Sequence, residues 1–233
     1  MYTNRDIVSQ IRSMSKLLSA DQQITDRAIL HEAKDVANMI IKQTLDKRKL
    51  WSSPNVFASI PCLEMKKAPL AECCEYTSGT QVAKSVKKLP KIGEGIWGLA
   101  IQGVFGLDNM KRFKEVTPSR YANLMKLGLP THDTYYWVLN DYLYVSNPNT
   151  AAVNMFTYFT DIIPNDLLYP GEDCDCQPKP SIASLCANPL DQSFYFPADR
   201  LDDLKKVVYQ NLLRTYFQLA SERTSDNNDE TSK

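Results

Sequence analysis

The chain has 233 residues, of which 43% are hydrophobic, and its 27 Lys and Arg residues balance 27 Asp and Glu residues. This length and composition predict a stable fold with a substantial core, and the zero net charge provides no overall attraction to nucleic acid or to an anionic membrane. The sequence has no run of about 18 apolar residues and no apolar segment near its start, so we expect neither membrane insertion nor secretion.

Three of the six cysteines lie in one proline-bearing stretch, GEDCDCQPKPSIASLC, at residues 171–186. A structural zinc site usually needs two close pairs of ligands, and the spacing of these six residues fits poorly: Cys62, Cys73, Cys74, Cys174, Cys176 and Cys186. We interpret the stretch as a loop and the cysteines as reduced thiols, with zinc as the alternative. His31 and His132 are interpreted as structural or solvated residues, so we expect no metal and no cofactor.

Residues 1–54 predict a helical hairpin. Thr3 or Asn4 can cap a first helix, whose apolar residues recur on one face at Ile7, Ile11, Met14 and Leu18. Thr25 can cap a second helix with the same spacing at Ile29, Ala33, Val36 and Ile40, and Trp51 and Pro54 mark its exit. Both stripes are typical of packing between helices.

Residues 55–196 predict a β-rich region with long loops and one short helix. Segments such as YYWVLNDYLYVS and AAVNMFTYFT are short, rich in β-branched and aromatic residues, and bounded by turn residues. Asn140 and Asp141 predict a tight hairpin between two aromatic runs. The segment TPSRYANLMKLGLP predicts the helix, with Thr117 as its cap and Pro118 at its first position.

A basic loop is predicted between Cys74 and Trp97, where four lysines lie close together: Lys84, Lys87, Lys88 and Lys91. Such a loop can face DNA phosphates or a partner, although lysines in a mixed loop are usually only solvated, and no interleaved aromatic residues offer base stacking. Gly93, Gly95 and Gly98 lack the strand and helix of a nucleotide-binding motif and indicate turns.

Residues 197–221 predict a C-terminal helix that packs on the hairpin. Asp199 is a candidate cap, and one face carries Leu201, Leu204, Val208, Leu212, Tyr216 and Leu219. Residues 222–233 offer no aliphatic surface, so we expect a tail that is disordered alone or ordered by a partner. Its candidate docking residues are Arg223, Thr224, Asp226 and Asn227.

The predicted fold class is therefore α+β, with a bundle of the N-terminal hairpin and the C-terminal helix beside a β-rich middle region. The sequence contains no nucleophile elbow, phosphate loop or HExxH motif, and neither histidine lies beside a candidate nucleophile. We therefore expect no catalytic residues and no enzyme. Such a chain is typical of a binding or assembly subunit.

The order of these parts resembles head-to-tail connector proteins of tailed bacteriophages, and in particular the adaptor or ring proteins of crAss-like short-tailed phages. The resemblance lies in the successive segments ITDRAILHEAKDVANMIIKQ, LWSSPNVFASIPCLEM, VAKSVKKLPKI, YYWVLNDYLYVSN, AAVNMFTYFTDII and FYFPADRLDDLKKVVYQNLL. Together they span most of the chain, but each one alone has low specificity. No family function corresponds to the cysteine-bearing stretch.

The resemblance implies a structural virion protein at the head-tail interface, assembled in the host cytoplasm. Such proteins form a ring of about twelve copies, a dodecamer, connected by head-to-tail contacts between two different patches of one subunit. The implied partners are copies of itself, the portal protein and neighbouring tail or ring proteins, with no membrane. Genomic DNA would pass through the lumen without sequence-specific binding.

Two alternatives from the sequence stay open. One is another virion component, such as a tail-tube ring or an auxiliary ring protein, which differs from the first only in its position in the particle. The other is a cytosolic zinc-dependent enzyme or regulator that uses the cysteines, which would bind stoichiometric zinc.

Overall fold

A computed structural model describes residues 2–15, 24–47, 54–72, 80–127, 133–168 and 188–226, with the side chains of the last helix described as far as Arg214. The chain forms two compact units, one of Met1–Val56 with Asn188–Lys233 and one of Phe57–Ala187. Helices and a large sheet are both present, so the predicted α+β class is confirmed.

The helices α1 to α5 span Asn4–Ser15, Asp26–Asp46, Pro118–Lys126, Asn165–Leu168 and Leu201–Asp226. The strands β1 to β5 span Ala58–Pro69, Gln81–Ser85, Glu94–Gly95, Gly98–Leu99 and Ile101–Phe105. The strands β6 to β9 span Lys114–Glu115, Tyr135–Leu139, Tyr142–Val145 and Ala152–Thr157.

Helix α1 begins with a reciprocal cap, and Thr3 is the capping residue of the two predicted candidates. The backbone N–H of Asp6 donates to Thr3 Oγ1 (3.1 Å), while the N–H of Thr3 donates to Asp6 Oδ2 (2.9 Å). The backbone N–H of Thr3 lowers the pKa of the Asp6 carboxyl most, and the Thr3 side chain lowers it further. Ile7 and Ile11 are fully buried as predicted, whereas Leu18 lies outside the described residues.

Helix α2 is capped by Thr25, whose Oγ1 accepts from the N–H of Ala28 (3.2 Å), as predicted. The predicted apolar stripe is buried, at Ile29, Ala33, Val36 and Ile40. Helices α1, α2 and α5 contact one another, and Asn211 Nδ2 of α5 donates to Glu32 Oε1 of α2 (2.7 Å). The apolar stripes therefore supply the core of the helical unit.

Helix α5 differs from the prediction at both ends. It is preceded by a 3-10 turn at Ala198–Arg200 whose N-cap position is Pro197, so Asp199 lies inside the turn and is not the cap. The helix continues to Asp226, beyond the predicted end at residue 221. Leu201, Leu204 and Val208 are buried as predicted.

The other unit contains a seven-stranded sheet with the order β5-β9-β1-β2-β8-β7-β6. Strand β1 is long enough to pair with β9 through its first half and with β2 through its second half. The register shifts between Ile60 and Leu63, and Cys62 in this bulge has a left-handed backbone (φ 51°).

The two edges of this sheet are joined by one short segment, residues 112–116. Arg112 forms an antiparallel bridge with Phe105 of β5, and the N–H of Phe113 donates to Val104 O (2.8 Å). The same segment then pairs with β7, where the N–H of Val116 donates to Tyr136 O (3.0 Å). The segment contains the edge strand β6, and it gives the end of the opposite edge strand, β5, a backbone partner.

The predicted hairpin at Asn140 and Asp141 is confirmed. Strands β7 and β8 pair through Leu139 and Tyr142, and the two turn residues have positive φ angles of 52° and 64°. This combination is typical of a type I′ turn, which matches the twist of the flanking strands.

Helix α3 is attached to the sheet by aromatic side chains. Tyr121 of α3 packs on Trp137 (centroids 4.9 Å apart), and Trp137 stacks on Tyr144 (5.8 Å). Thr117 caps the helix and Pro118 opens it, as predicted. These rings belong to a buried cluster with Leu70, Val82 and Val116.

Two further predictions are corrected here. Residues 81–85, including Lys84, form the inner strand β2 instead of a loop, because the backbone pairs with β1 on one side and with β8 on the other. Cys62 is disulfide-bonded, which contradicts the expectation of reduced thiols at this position. The other five cysteines, and with them residues 171–186, lie outside the described residues. Sequence spacing does not report which cysteines approach each other in space.

A buried amide lies next to this bulge. Asn154 Oδ1 of β9 accepts from the N–H of Cys62 (2.9 Å), and its Nδ2 donates to Leu107 O (3.2 Å) and to Asn109 Oδ1 (2.9 Å). Cys62 and Asn109 both have positive φ. One side chain therefore stabilises two left-handed backbone positions.

Candidate functional site

The lysines singled out from the sequence lie on and beside strand β2. The pairing of β2 with β8 places Lys84 next to Tyr144, and Lys84 Nζ lies 4.4 Å from the ring centroid of Tyr142 and 5.8 Å from that of Tyr144. Lys88 Nζ lies 5.7 Å from the same Tyr142 ring. Each ammonium is close enough for a cation–π interaction, worth about 0.5 to 2 kcal/mol.

The other two lysines point to different partners. Lys87 Nζ pairs with Asp166 Oδ2 of α4 (2.9 Å) and donates to the backbone oxygen of the same residue (3.0 Å). Lys91 is exposed, and its carbonyl oxygen accepts from the N–H (2.9 Å) and the hydroxyl (3.1 Å) of Thr160. The structure thus brings Lys84 and Lys88 together on Tyr142, whereas Lys87 is paired with Asp166.

Backbone hydrogen bonds fix the segment that carries these lysines. The N–H of Val86 donates to Glu64 O (2.9 Å), and the N–H of the buried Leu89 donates to Asp141 O (2.7 Å). The lysines therefore belong to a defined surface, which we call the lysine surface (Lys84, Lys87, Lys88 and Lys91).

Neighbouring side chains partly balance the positive charge of the lysine surface. Asp166 balances the charge of Lys87, and the Tyr142 ring receives two ammonium groups. The sequence showed no aromatic residues among these lysines, but sheet pairing brings Tyr142 and Tyr144 from a distant segment. This partly balanced charge gives little basis for strong nucleic-acid binding.

The predicted docking residues lie at the end of the chain. Arg223, Thr224 and Asp226 belong to the backbone of α5, so they lie in a helix and not beyond one. Asn227 lies outside the described residues.

The acidic start of α5 suits the helix dipole, and Lys205 lowers the pKa of Asp202 through a hydrogen bond and its charge.

No group of three or more His, Cys, Asp or Glu side chains arranged to hold a metal ion occurs in the part of the chain that the structure describes. His31 Nδ1 lies 3.0 Å from Asp35 Oδ2 one helical turn away, on an exposed face of α2. His132 lies outside the described residues. Across the described helices, none has the length and apolar character needed to cross a membrane.

One surface feature was missed by sequence reasoning. Strands β3 and β4 form a separate two-stranded hairpin, and the turn between them exposes Ile96 (70%) and Trp97 (63%), followed by Gly98 at φ 109°. The turn itself agrees with the prediction from Gly93, Gly95 and Gly98, but the sequence did not predict that Ile96 and Trp97 would be exposed.

These features indicate the general class of protein to which the chain belongs. This α+β chain exposes the lysine surface, whose positive charge is partly balanced, and an apolar turn. Both features suit contacts with other macromolecules. The family model CrAss_Ring_2, described as phage tail ring protein 2, matches residues 6–231. The chain therefore belongs to this family of crAss-like phage ring proteins, as the resemblance in the sequence indicated. No curated protein is similar enough to the chain to count as a match.

Family membership establishes a structural protein of the phage tail and a component of the virion. A ring protein also implies association with copies of itself and with other virion components.

Proposed function

We propose that the protein forms an oligomeric ring at the portal vertex, connects the portal to the tail and lines the channel through which DNA leaves the head. The match to a tail ring family over residues 6–231 is the observation that supports this proposal most strongly. A ring of about twelve copies is the copy number that such connectors imply, with each subunit using two different patches.

The charge distribution is compatible with a conduit. The chain has equal numbers of acidic and basic residues, and the lysine surface is moderated by Asp166 and Tyr142. Because strong phosphate contacts slow the movement of DNA, a wall of this kind favours passage over binding. Lys87, Lys88 and Lys91 are exposed, but Lys87 is paired with Asp166, so Lys88 and Lys91 are the lysines that we propose to face DNA or a partner.

The helical unit supplies a second proposed contact. We propose that α1, α2 and α5 act as one bundle that carries subunit or portal contacts, and that the segment from Arg223 to Asn227 docks in a groove of a partner. The division that the sequence predicted, at residues 1–54, 55–196, 197–221 and 222–233, stays a proposal for the functional parts, although helix α5 continues past residue 221 to Asp226. We further propose assembly in the host cytoplasm and a role without catalysis.

The family's description as a tail ring protein favours one second candidate, a ring further along the tail. Electron cryomicroscopy of intact virions tests both. Density for this chain directly below the portal, lining the channel, supports the first proposal, and density only at a lower tail ring supports the second. Density outside any ring contradicts both.

Negative-stain microscopy of purified protein mixed with its portal gives an independent test. The proposal predicts stacked rings, and the portal alone is the control. Chains that stay monomeric under all assembly conditions contradict the proposal.

A further inference from the structure

Cys62 lies where strand β1 changes its pairing partner. The strand pairs with β9 from Ala58 to Glu64 and with β2 from Met65 to Pro69, and its register with β9 shifts between Ile60 and Leu63. A bulge interrupts the ladder of backbone hydrogen bonds and bends the strand. Strand pairing therefore holds this junction less firmly than it holds the rest of β1.

One hydrogen bond and one covalent bond fix Cys62 at the junction. Its N–H donates to Asn154 Oδ1 (2.9 Å), which stabilises the left-handed backbone of Cys62 (φ 51°). Its side chain forms a disulfide bond. The nearest of the other cysteines in the sequence is Cys73, so the bond closes a loop that contains at least residues 63–72. A disulfide that closes a loop of this length or more stabilises a fold by restricting the unfolded chain.

The hydrogen bonds at the junction do not involve the disulfide. The amide of Asn154 is oriented by Leu107 O (3.2 Å) and Asn109 Oδ1 (2.9 Å), which lie in the turn that follows β5. These contacts position the backbone of Cys62 whether its sulfur is oxidised or reduced, so the bond can form in the folded chain. Cys62 is half-buried, which leaves it within reach of small thiols and disulfides.

The compartment decides whether such a bond persists. Chains that assemble in the host cytoplasm meet a thiol pool that keeps cysteines reduced, and this pool is absent outside the cell. We propose that the Cys62 disulfide is a redox-dependent cross-link of the β1 junction, absent during assembly and formed in the released particle. Two protein thiols exchange with a small-molecule disulfide, which leaves as two thiols. This inference rests on the proposed assembly in the host cytoplasm.

The first experiment measures the Tm of the purified, oxidised chain before and after reduction with a dithiol. Reduction should lower the Tm by at least about 5 °C, because the restriction on the unfolded chain is lost, while circular dichroism should show a folded chain in both states. Cys62→Ser is the matched control, and its Tm should respond far less to the same dithiol. An unchanged Tm of the wild type overturns the inference. An equal loss in Cys62→Ser also overturns it, because the effect then belongs to other cysteines.

Hydrogen exchange tests whether the cross-link acts at the junction. In the reduced chain, the amides of residues 60–65 should exchange several-fold faster than in the oxidised chain, because local opening no longer has to break a covalent loop. The amides of helix α2, which belongs to the other unit, should exchange at the same rate in both states. Equal acceleration in α2 and at the junction contradicts a local effect.

Thiol labelling tests when the bond forms. Iodoacetamide is added to infected cells before lysis and, separately, to purified virions, and peptide mass spectrometry then measures the labelled fraction of Cys62. We expect labelling in the cells and protection in the virions. Protection in both samples, or labelling in both, overturns the inference. Failure of the portal-vertex proposal would leave these readouts unchanged, because they depend only on where the chain is assembled and on the state of Cys62.

Discussion

The side chain of Asn154 connects a bulge in β1 with the turn that follows β5. Its three hydrogen bonds reach Cys62, Leu107 and Asn109, and it is buried in the sheet unit. Because a buried polar group without a partner costs about 1 to 3 kcal/mol, the loss of this amide affects several groups at once.

We predict that Asn154→Leu lowers the free energy of unfolding by about 2 to 4 kcal/mol, since the substitution removes the partners of a backbone N–H and a carbonyl. Urea unfolding followed by circular dichroism measures the change. The control is Asn149→Ala at an exposed loop position, which should stay within about 0.5 kcal/mol of the wild type. Equal effects of the two substitutions would contradict the assigned role of Asn154.

Asp6 gives a prediction about pH. Hydrogen bonds from Thr3 lower its folded pKa below the ordinary value of 3.8, so the ionised carboxylate stabilises the folded state. This stabilisation is present above pH 3.8 and is lost as the pH falls through the lower folded pKa. Asp6→Ala should therefore have a lower Tm than the wild type at neutral pH, and the difference should shrink in acid.

The matched variant is Asp6→Asn, which keeps an oxygen that can accept from Thr3 but does not titrate in this range. Its Tm should lie between those of the wild type and Asp6→Ala at neutral pH. A Tm difference between wild type and Asp6→Ala that stays constant from neutral to acid pH would argue against the capping role.

Single residues were predictable where their effect is local. Thr25 and Thr117 were identified as caps because an N-cap depends on the residue and its immediate neighbours. The role of Asn154 was not identified, although an amide within the apolar strand AVNMFT was a signal for it. Its partners are distant in sequence, so only the fold defines them.

At the scale of elements, α5 contributes two fully buried side chains to the helical unit, Leu204 and Val208. We predict that Leu204→Asp unfolds the protein, because the change places an unpaired charge in the core. Gln210→Asp on the exposed side of the same helix is the control and should leave the fold intact. Circular dichroism and size-exclusion chromatography distinguish the two results. A folded Leu204→Asp variant would mean that α5 does not belong to the core.

The elements themselves were predictable to different degrees. Helix α2 could be predicted because it has a complete apolar stripe, and the hairpin at Asn140 because its two turn residues tolerate positive φ. The structure confirms both elements. The residues of strand β2 were predicted to lie in a basic loop because of the four closely spaced lysines between Cys74 and Trp97. Its strand conformation depends on pairing with β1 and β8, and the sequence does not specify that register.

At the scale of the whole molecule, a prediction concerns the chain end. A cut after Ala220 removes the last residues of α5 and the residues beyond them. We expect the Tm to change by no more than about 2 °C, because the removed residues offer little apolar surface, while attachment to the portal weakens. Co-sedimentation with portal rings measures attachment.

The control for this cut replaces residues 221–233 with a Gly and Ser sequence of the same length. If attachment depends on the native residues, this variant should attach as weakly as the truncated chain. An attachment yield equal to that of the wild type in either variant contradicts the docking role.

The family was recognisable from the order of segments, because the resemblance extends over most of the chain and the family model matches residues 6–231. The exposed positions of Ile96 and Trp97 were not recognisable, because large apolar residues are more often buried and a turn predicted from glycines does not specify their exposure. The exposure of a side chain depends on the folded structure, whereas the residue type indicates only how often such residues are buried.

The segment of residues 112–116 has a consequence for how copies of this chain can meet. By bonding to the end of β5 and to the start of β7 in turn, it links the two sides of the sheet through its own backbone. The carbonyl oxygens of Val104 and Tyr136 are therefore already used within the chain, and a strand from another copy would have to compete with this segment to pair there.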